Sequence, residues 1–135
     1  MSYLQKFSNI LLVTGLAVSA LVVSSVVLND TAEAKAGSTP LGDLTRFEKL
    51  GKETLRLVES KNFASAKTKI TELETAWDKA EENLRAKDGK AWRYVDKSID
   101  KALERVRSDK PDQKACKEAL NEMLVQMDSP GTGKN

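Results

Sequence analysis

The sequence contains no histidine and only one cysteine. Without histidine, the chain lacks the commonest metal ligand and the commonest general base near neutral pH. A single cysteine excludes an intramolecular disulfide and, with no histidine beside it, excludes Cys/His zinc sites and Cys/His catalysis. The phosphate-binding patterns GxxxxGKS/T and GxGxxG are missing as well. We therefore expect a protein that is not an enzyme and that binds no cofactor.

The chain also lacks a clear excess of one charge and has few aromatic residues. It contains 22 Lys and Arg residues against 20 Asp and Glu residues, and aromatic residues make up 5% of it. The net charge of +2 is too small, and too evenly spread along the sequence, to indicate nucleic acid or an acidic membrane as the partner. A charged fraction of 31% with so few aromatic residues favours a small helical bundle over a β-sandwich.

The first 34 residues have the pattern of a targeting segment. Lys6 provides a positive charge before residues 10–28, an uncharged and mostly apolar run, and Ala32-Glu33-Ala34 follows as a cleavage site with small side chains. The run exceeds the roughly 7–15 residues of most signal peptides and approaches the roughly 20 that span a bilayer. Two interpretations stay open: a cleaved signal peptide, which makes the protein periplasmic or secreted, or an uncleaved membrane anchor. In both, the rest of the chain lies outside the cytoplasm.

Residues 62–107 have the clearest periodicity in the chain. Apolar residues recur at intervals of three and four, which places them along one face of a helix. The first stripe comprises Phe63, Ala66, Ile70, Leu73, Trp77, Ala80 and Leu84, and the second comprises Trp92, Val95, Ile99, Ala102, Leu103 and Val106. Asp88 can cap the second helix, and Gly89 eases the reversal between the two. We predict two long antiparallel helices, with a tight turn at Lys61-Asn62 before the first.

One further helix is predicted on each side of this pair. Thr39-Pro40 provides a cap and a first-turn proline for a helix that ends near Ser60, and residues 108–111 (SDKP) repeat that pattern for a helix that ends before Ser129. Their apolar stripes are Leu41, Leu44, Phe47, Leu50, Leu55 and Val58, and Cys116, Leu120, Met123, Leu124 and Met127. Gly51 falls inside the first helix, either as a point of close packing or as a weak position that costs about 1 kcal/mol relative to alanine.

Four amphipathic helices with short connections predict an all-α fold, an up-down-up-down four-helix bundle over residues 39–128. The alternative is a three-helix bundle with a loosely attached first helix. Residues 35–38 are predicted to be a linker and residues 129–135 a disordered tail. We expect the protein to be a monomer.

Three residues of the fourth stripe allow a second interpretation. Met123 and Met127 could in principle ligate haem, but methionines at helical spacing are far more often core residues, and the usual histidine ligand is missing. Cys116 could join two chains as an exposed thiol in an oxidising compartment. Its spacing from the other apolar residues of the stripe favours a buried position.

The two tryptophans are predicted to pack in the core. Trp77 and Trp92 lie on the core faces of adjacent helices, where aromatic rings mostly supply buried area, and a platform for a ligand is the alternative. The reversal at 88–89 also sets Arg85 opposite Trp92, which predicts a cation–π contact between them.

Facing carboxylates are predicted on one flank of the central hairpin. The reversal at 88–89 sets Glu81 opposite Asp96, with Asp78 and Asp100 a little further round the same side. Carboxylates in this arrangement repel each other unless a positive charge lies close by. One interpretation supplies that charge from Arg85, one turn from Glu81, or from Arg93, one turn from Asp96, as solvated ion pairs. The other is a site for a hard cation such as Ca²⁺, held by Glu81 and Asp96 with Asp78 and Asp100, because such ions prefer oxygen ligands.

The same hairpin resembles a known group of proteins. The residues ELETAWDKAEENLR and AWRYVDKSIDKALERVRSDKPD contain the ETAWD, VD, ID-x-AL, VR and PD elements of small exported bacterial helical proteins of uncharacterised function. The resemblance covers about residues 64–112 and leaves the first and fourth helices outside it. It implies an exported helical protein and no particular activity.

These observations lead to one predicted function and one alternative. The first is a non-catalytic helical module outside the cytoplasm that binds an unidentified partner protein at the cell envelope. The alternative is a protein that binds a small ligand or a divalent cation through the acidic flank of the central hairpin. Contact with a membrane is expected only through an uncleaved N-terminal segment, and contact with nucleic acid is not expected.

Overall fold

The computed structural model describes residues 39–132, so the predicted targeting segment, the linker and the last three residues lie outside the described part. Four α-helices follow one another: α1 (Thr45–Glu59), α2 (Phe63–Lys87), α3 (Gly89–Arg107) and α4 (Gln113–Asp128). Within residues 39–132 there is no strand beyond an isolated bridge between Thr39 and Gly42. No helix in this range combines the length and the apolar character that crossing a membrane requires.

The four helices form an up-down-up-down bundle. Each helix packs against two neighbours, with α1 beside α2 and α4, and α3 beside α2 and α4, while the diagonal pairs do not approach each other. The short connections at residues 60–62, 88 and 108–112 make consecutive helices antiparallel. The alternative with a loosely attached first helix is wrong, because α1 contacts both of its neighbours along the bundle.

The core is built from the predicted apolar stripes. Its largest side chain is Trp77, which is 1% exposed and meets the ring of Phe47 edge to face, with 5.1 Å between centroids. The fully buried side chains around it include Leu41, Val58, Ile70, Leu73, Val95, Val106, Leu120, Met123 and Met127. Other members of the stripes, among them Leu50, Phe63, Ala80 and Trp92, are only partly buried against this core.

The starts of α2 and α3 agree with the sequence prediction. Lys61 turns the chain with a φ of 59°, and the Asn62 side chain accepts a hydrogen bond from the backbone N–H of Ser65 at 3.2 Å. Asp88 accepts from the backbone N–H groups of the second and third residues of α3, both at 2.9 Å. These caps need only a side chain and the two or three residues after it, which is why the sequence alone locates them.

The start of α1 differs from the prediction at Thr39-Pro40. Residues 39–42 form a turn in which the Gly42 N–H donates to the Thr39 carbonyl at 2.8 Å, and Gly42 has a φ of +86°. That left-handed conformation interrupts a right-handed helix, so α1 begins only at Thr45. Leu41 is nevertheless completely buried. Its place in the apolar stripe is therefore occupied from a turn and not from a helix.

The start of α4 also lies later than the predicted start at 108–111. The cap is Asp112, which accepts from the Ala115 N–H at 2.7 Å. Gln113 then donates from Nε2 to the carbonyls of Val58 and Glu59, both at 2.9 Å, and so satisfies two carbonyl groups at the end of α1. This contact across the bundle makes Asp112 the cap in preference to Ser108.

Gly51 is a point of close packing between α1 and α4. A Cβ atom at this position would lie 2.8 Å from Cε of Met123 and 3.0 Å from Cδ2 of Leu124, and Gly51 is buried. Residues 129–132, predicted as part of a disordered tail, form a turn after α4 in which the Gly131 N–H donates to Oε1 of Gln126 at 2.7 Å. Residues 133–135 lie outside the described part.

Candidate functional site

Two surfaces of α2 combine polar groups closely enough to be candidate sites: the flank toward α3 and the groove toward α1. On the first, Asp96 of α3 accepts a hydrogen bond from Nε1 of Trp77 at 3.1 Å. The sequence predicts that Trp77 packs in the core and that Asp96 faces another carboxylate, but it does not predict the bond between them. This bond requires the register of α2 against α3, which places residues 19 positions apart beside each other.

The four predicted carboxylates lie close enough to affect one another. Burial raises the pKa of Asp96 above its ordinary value, the hydrogen bond from Trp77 opposes this effect, and the negative charges of Asp100, Glu81 and Asp78 raise the pKa further. The structure therefore brings the acidic flank together as the reversal at Asp88 predicts. Its most buried carboxyl is Asp96, held by an indole and not by an arginine.

Glu81 already has a partner on its own helix. Its Oε1 lies 2.9 Å from Nη1 of Arg85, the ion pair that the sequence analysis offered as one of two interpretations. The Arg85 guanidinium carbon lies 5.0 Å from the centroid of the Trp92 ring, which confirms the predicted cation–π contact. Among residues 39–132, no three carboxylate or thiol side chains are grouped so that they could hold a metal ion. The cation site of Glu81, Asp96, Asp78 and Asp100 stays a prediction.

Cys116 and the two methionines of α4 are core residues. The thiol is completely buried and donates to the Arg105 carbonyl, with 3.3 Å between sulfur and oxygen. Burial raises the pKa of this thiol, the charge of Asp112 adds to the effect and the charge of Arg105 opposes it, so the reactive thiolate is disfavoured. Met123 and Met127 are both 0% exposed, in agreement with the interpretation that they fill the core.

The second surface, which the sequence analysis missed, is a groove of about 860 Å³ between α1 and α2. It is lined by Arg46, Lys49, Leu50 and Glu53 of α1 and by Lys67, Thr68, Thr71, Glu72, Thr75, Ala76 and Lys79 of α2. Ala76 is buried and Leu50 is half-buried, so these two side chains form an apolar floor. We call this surface the α1–α2 groove.

Three threonines line the α2 side of the α1–α2 groove. The hydroxyls of Thr68, Thr71 and Thr75 donate to the backbone carbonyls four residues earlier, at 3.4, 2.8 and 2.9 Å. The hydroxyl hydrogens are thereby used inside the helix. The threonines are left with methyl groups and oxygen lone pairs to offer to a binding partner, and one such lone pair on Thr71 accepts from Arg107 at 2.9 Å.

The α1–α2 groove has a net positive charge. Four cations line it: Arg46, Lys49, Lys67 and Lys79. None of the four takes part in an ion pair among residues 39–132. The two acidic residues of the groove, Glu53 and Glu72, lie 3.6 and 2.6 Å from Nζ of Lys69, and the hydrogen bond to Glu72 raises the pKa of Lys69. The acidic charges are thus satisfied within the bundle and the four cations are not.

The sequence does not predict the charge of the groove, because its basic residues come together only in the folded bundle. Along the chain, basic and acidic residues alternate, and the net charge of +2 suggests no cluster. The spacing of Thr68, Thr71 and Thr75 at three and four residues marks one face of α2. That signal was available, but it becomes a surface only beside Arg46 and Lys49 of the neighbouring helix. Comparisons with protein-family models, curated proteins and solved structures find no match to this chain, so the geometry of these two surfaces carries the functional proposal.

Proposed function

We propose that the chain is a non-catalytic helical module, exported from the cytoplasm, that binds a partner protein at the cell envelope through the α1–α2 groove. The observation that supports this most directly is the set of four cations without ion-pair partners around an apolar floor. A recessed apolar surface edged by charge can bury side chains of a partner and orient them by their charges. On the acidic flank of α2, by contrast, Glu81 and Asp96 are already engaged by Arg85 and Trp77.

Binding is favoured over catalysis by the state of the reactive side chains. The thiol of Cys116 is buried and protonated in preference to ionised. The carboxyl of Asp96 is the one carboxyl group within residues 39–132 whose pKa is raised. Its one side-chain hydrogen bond among residues 39–132 comes from a core tryptophan, and the charges that raise its pKa come from three other carboxylates. A general acid–base mechanism needs a second group within hydrogen-bond reach of the substrate.

A partner protein is favoured over a lipid surface by the exposed apolar residues. A surface that lies on a membrane presents large apolar side chains for insertion beside its basic residues. Within residues 39–132, the one large hydrophobic side chain that is exposed is Val125, at 47%. Val125 belongs to α4 and does not line the groove. The groove therefore has cations at its edges but nothing that would enter a bilayer.

The proposed location rests on the sequence of the first 34 residues, with Lys6, the apolar run 10–28 and the Ala32-Glu33-Ala34 cleavage site. Fractionation of the native cells should place the protein outside the cytoplasm. N-terminal sequencing of the mature form should begin at Lys35, or at Gly37 if cleavage follows the second small-residue site, Ala34-Lys35-Ala36. An intact N-terminus in the membrane fraction would replace export by anchoring. Recovery of the protein in the cytosol would contradict the proposed location in both forms.

Capture of partners from an envelope extract tests the proposed binding. The groove variant is Lys49→Glu combined with Lys79→Glu, and the matched control is Arg93→Glu combined with Lys97→Glu. The control changes the net charge by the same amount at exposed positions of α3. We expect the native protein and the control to retain the same envelope protein and the groove variant to lose it. Loss from both variants, or from neither, would contradict binding through the groove.

A further inference from the structure

The α1–α2 groove has the dimensions of a seat for one more helix. On the α2 side it extends from Lys67 to Lys79, which at about 1.5 Å per residue is a length of roughly 18 Å. Two adjacent helices present a furrow between them into which the side chains of a third helix can pack. A furrow of this length accommodates about three turns. The small floor residue Ala76 and the threonines beside it allow a helix to approach closely.

The charges of the groove define the flanks of such a helix. Cations stand on both sides of the furrow, with Lys49 on α1 and Lys67 and Lys79 on α2. The carboxylates nearby, Glu53 and Glu72, are held by Lys69. A helix that fits must therefore present an apolar stripe toward Leu50 and Ala76 and acidic residues on both sides of that stripe.

We propose, resting on the binding function proposed above, that the occupant of the α1–α2 groove is an amphipathic helix of a partner protein, about three turns long, with acidic residues flanking its apolar face. It packs against α1 and α2 as a fifth helix. Its apolar face covers Leu50 and Ala76, and its carboxylates pair with the cations that have no partner within the described chain.

This occupant is distinct from a polyanion, which would use the same cations. An anionic polymer pairs with exposed lysines and needs no apolar stripe. Its affinity is almost entirely electrostatic and therefore falls steeply as the salt concentration rises. The recessed floor of Leu50 and Ala76 would then contribute nothing. A helix instead draws affinity from both the floor and the edges, so that charge alone is insufficient for it to bind.

Synthetic peptides test the inference on the protein purified in the form that the cell produces. The probe is a 14-residue peptide with leucines at helical spacing flanked by glutamates, labelled for fluorescence anisotropy. One control peptide has lysine in place of every glutamate, and a second is polyglutamate of equal length. A fourth titration uses vesicles of phosphatidylglycerol. We expect the amphipathic acidic peptide to bind at least tenfold more tightly than either control peptide, and no binding to the vesicles that depends on the groove.

Variants locate the binding. Lys49→Glu with Lys79→Glu should weaken the acidic peptide at least tenfold, while Arg93→Glu with Lys97→Glu should change its affinity less than twofold. Thr75→Trp, which fills the furrow with a neutral side chain, should weaken it as well, and amide shifts on binding should fall on α1 and α2. Equal affinity for polyglutamate, groove-dependent binding of vesicles, shifts elsewhere on the bundle, or no binding at millimolar peptide would each overturn the inference. If the envelope partner is still lost from the groove variant, the proposed function stands and only the nature of the occupant is wrong.

Discussion

The hydrogen bond between Trp77 and Asp96 should couple the core of the bundle to its acidic flank. Its donor is 1% exposed and its acceptor lies 3.1 Å away on the neighbouring helix. Trp77→Ala should cost roughly 3–5 kcal/mol, the usual loss for a large core aromatic. That figure mixes lost packing with the lost bond, so a double-mutant cycle of Trp77→Phe and Asp96→Ala is needed to isolate the bond.

The magnitude follows from the chemistry of the pair. A hydrogen bond to a charged group contributes about 1.5–3 kcal/mol when it is well buried. Asp96 is only partly buried, so the coupling energy should fall near the lower end, at about 1–2 kcal/mol at pH 7. Urea unfolding followed by circular dichroism at 222 nm measures it without relying on the fluorescence of the residue that is changed.

The pH dependence has a definite sign. Burial raises the pKa of Asp96 above the ordinary value of 3.8, so the folded state binds this proton more tightly than the unfolded state. The stabilisation from this group therefore grows as the pH falls from neutral through the folded pKa, and it is fully present below the unfolded pKa of 3.8. It is lost again as the pH rises through the folded pKa. Relative to Asp96→Asn, the native protein should gain stability on acidification.

Two outcomes would refute this reasoning. The first is a coupling energy below about 0.3 kcal/mol, the scatter expected of independent sites. The second is a native protein that loses stability relative to Asp96→Asn as the pH falls. The second result would mean that the carboxylate, and not the neutral acid, is the form that the fold favours.

Three further predictions test the packing and the metal hypothesis. Gly51→Ala should destabilise the bundle by about 1 kcal/mol, because an overpacking cost of about 1–3 kcal/mol exceeds a helix-propensity gain of about 1 kcal/mol. The control Gly89→Ala, whose added Cβ meets open space, should be neutral or stabilising. Equal effects of the two substitutions in urea unfolding would contradict close packing at Gly51. Cys116 should react with a thiol reagent only after unfolding in urea, and the same rate in the native protein would contradict its burial. Titration with Ca²⁺ or Mn²⁺ decides the cation site: a rise in melting temperature abolished by Glu81→Gln or Asp96→Asn would support it, and no rise at millimolar metal would end it.

The parts of the fold that the sequence predicts are those determined locally or by periodicity. Asn62 and Asp88 cap the residues directly after them, and the stripes of α2 and α3 identify their buried faces without reference to the rest of the chain. The starts of α1 and α4 could not be predicted in the same way. The residue before α1, Leu44, makes no side-chain cap bond that a sequence pattern could reveal, and α4 has two possible caps, Ser108 and Asp112, within five residues. Gly42 settles the first by its positive φ. Gln113 settles the second through a contact with the end of α1.

The candidate site likewise has a part that local sequence predicts and a part that depends on how the helices pack. The acidic flank depends on one reversal at Asp88, so the sequence predicts which carboxylates meet there. It does not predict the indole of Trp77 as their partner, because that bond depends on the rotation of α2 about its axis. The α1–α2 groove depends on the neighbours of α1 in the bundle and on which lysines find carboxylates. Lys69 lies within ion-pair distance of two carboxylates, and Lys49 pairs with none among residues 39–132. The spacing of these residues along the chain does not predict this difference.

The two surfaces of α2 differ in the sign of their charge and can be tested with separate substitutions. The flank toward α3 holds Asp78 and Glu81, and the groove toward α1 is lined by Lys49 and Lys67. The net charge of +2 conceals this division. A substitution such as Lys49→Glu removes positive charge from the groove while leaving the Trp77 bond intact, and Asp96→Asn does the reverse. If peptide binding responds only to the first and acid stability only to the second, the groove is the interaction surface and the acidic flank belongs to the structure of the bundle.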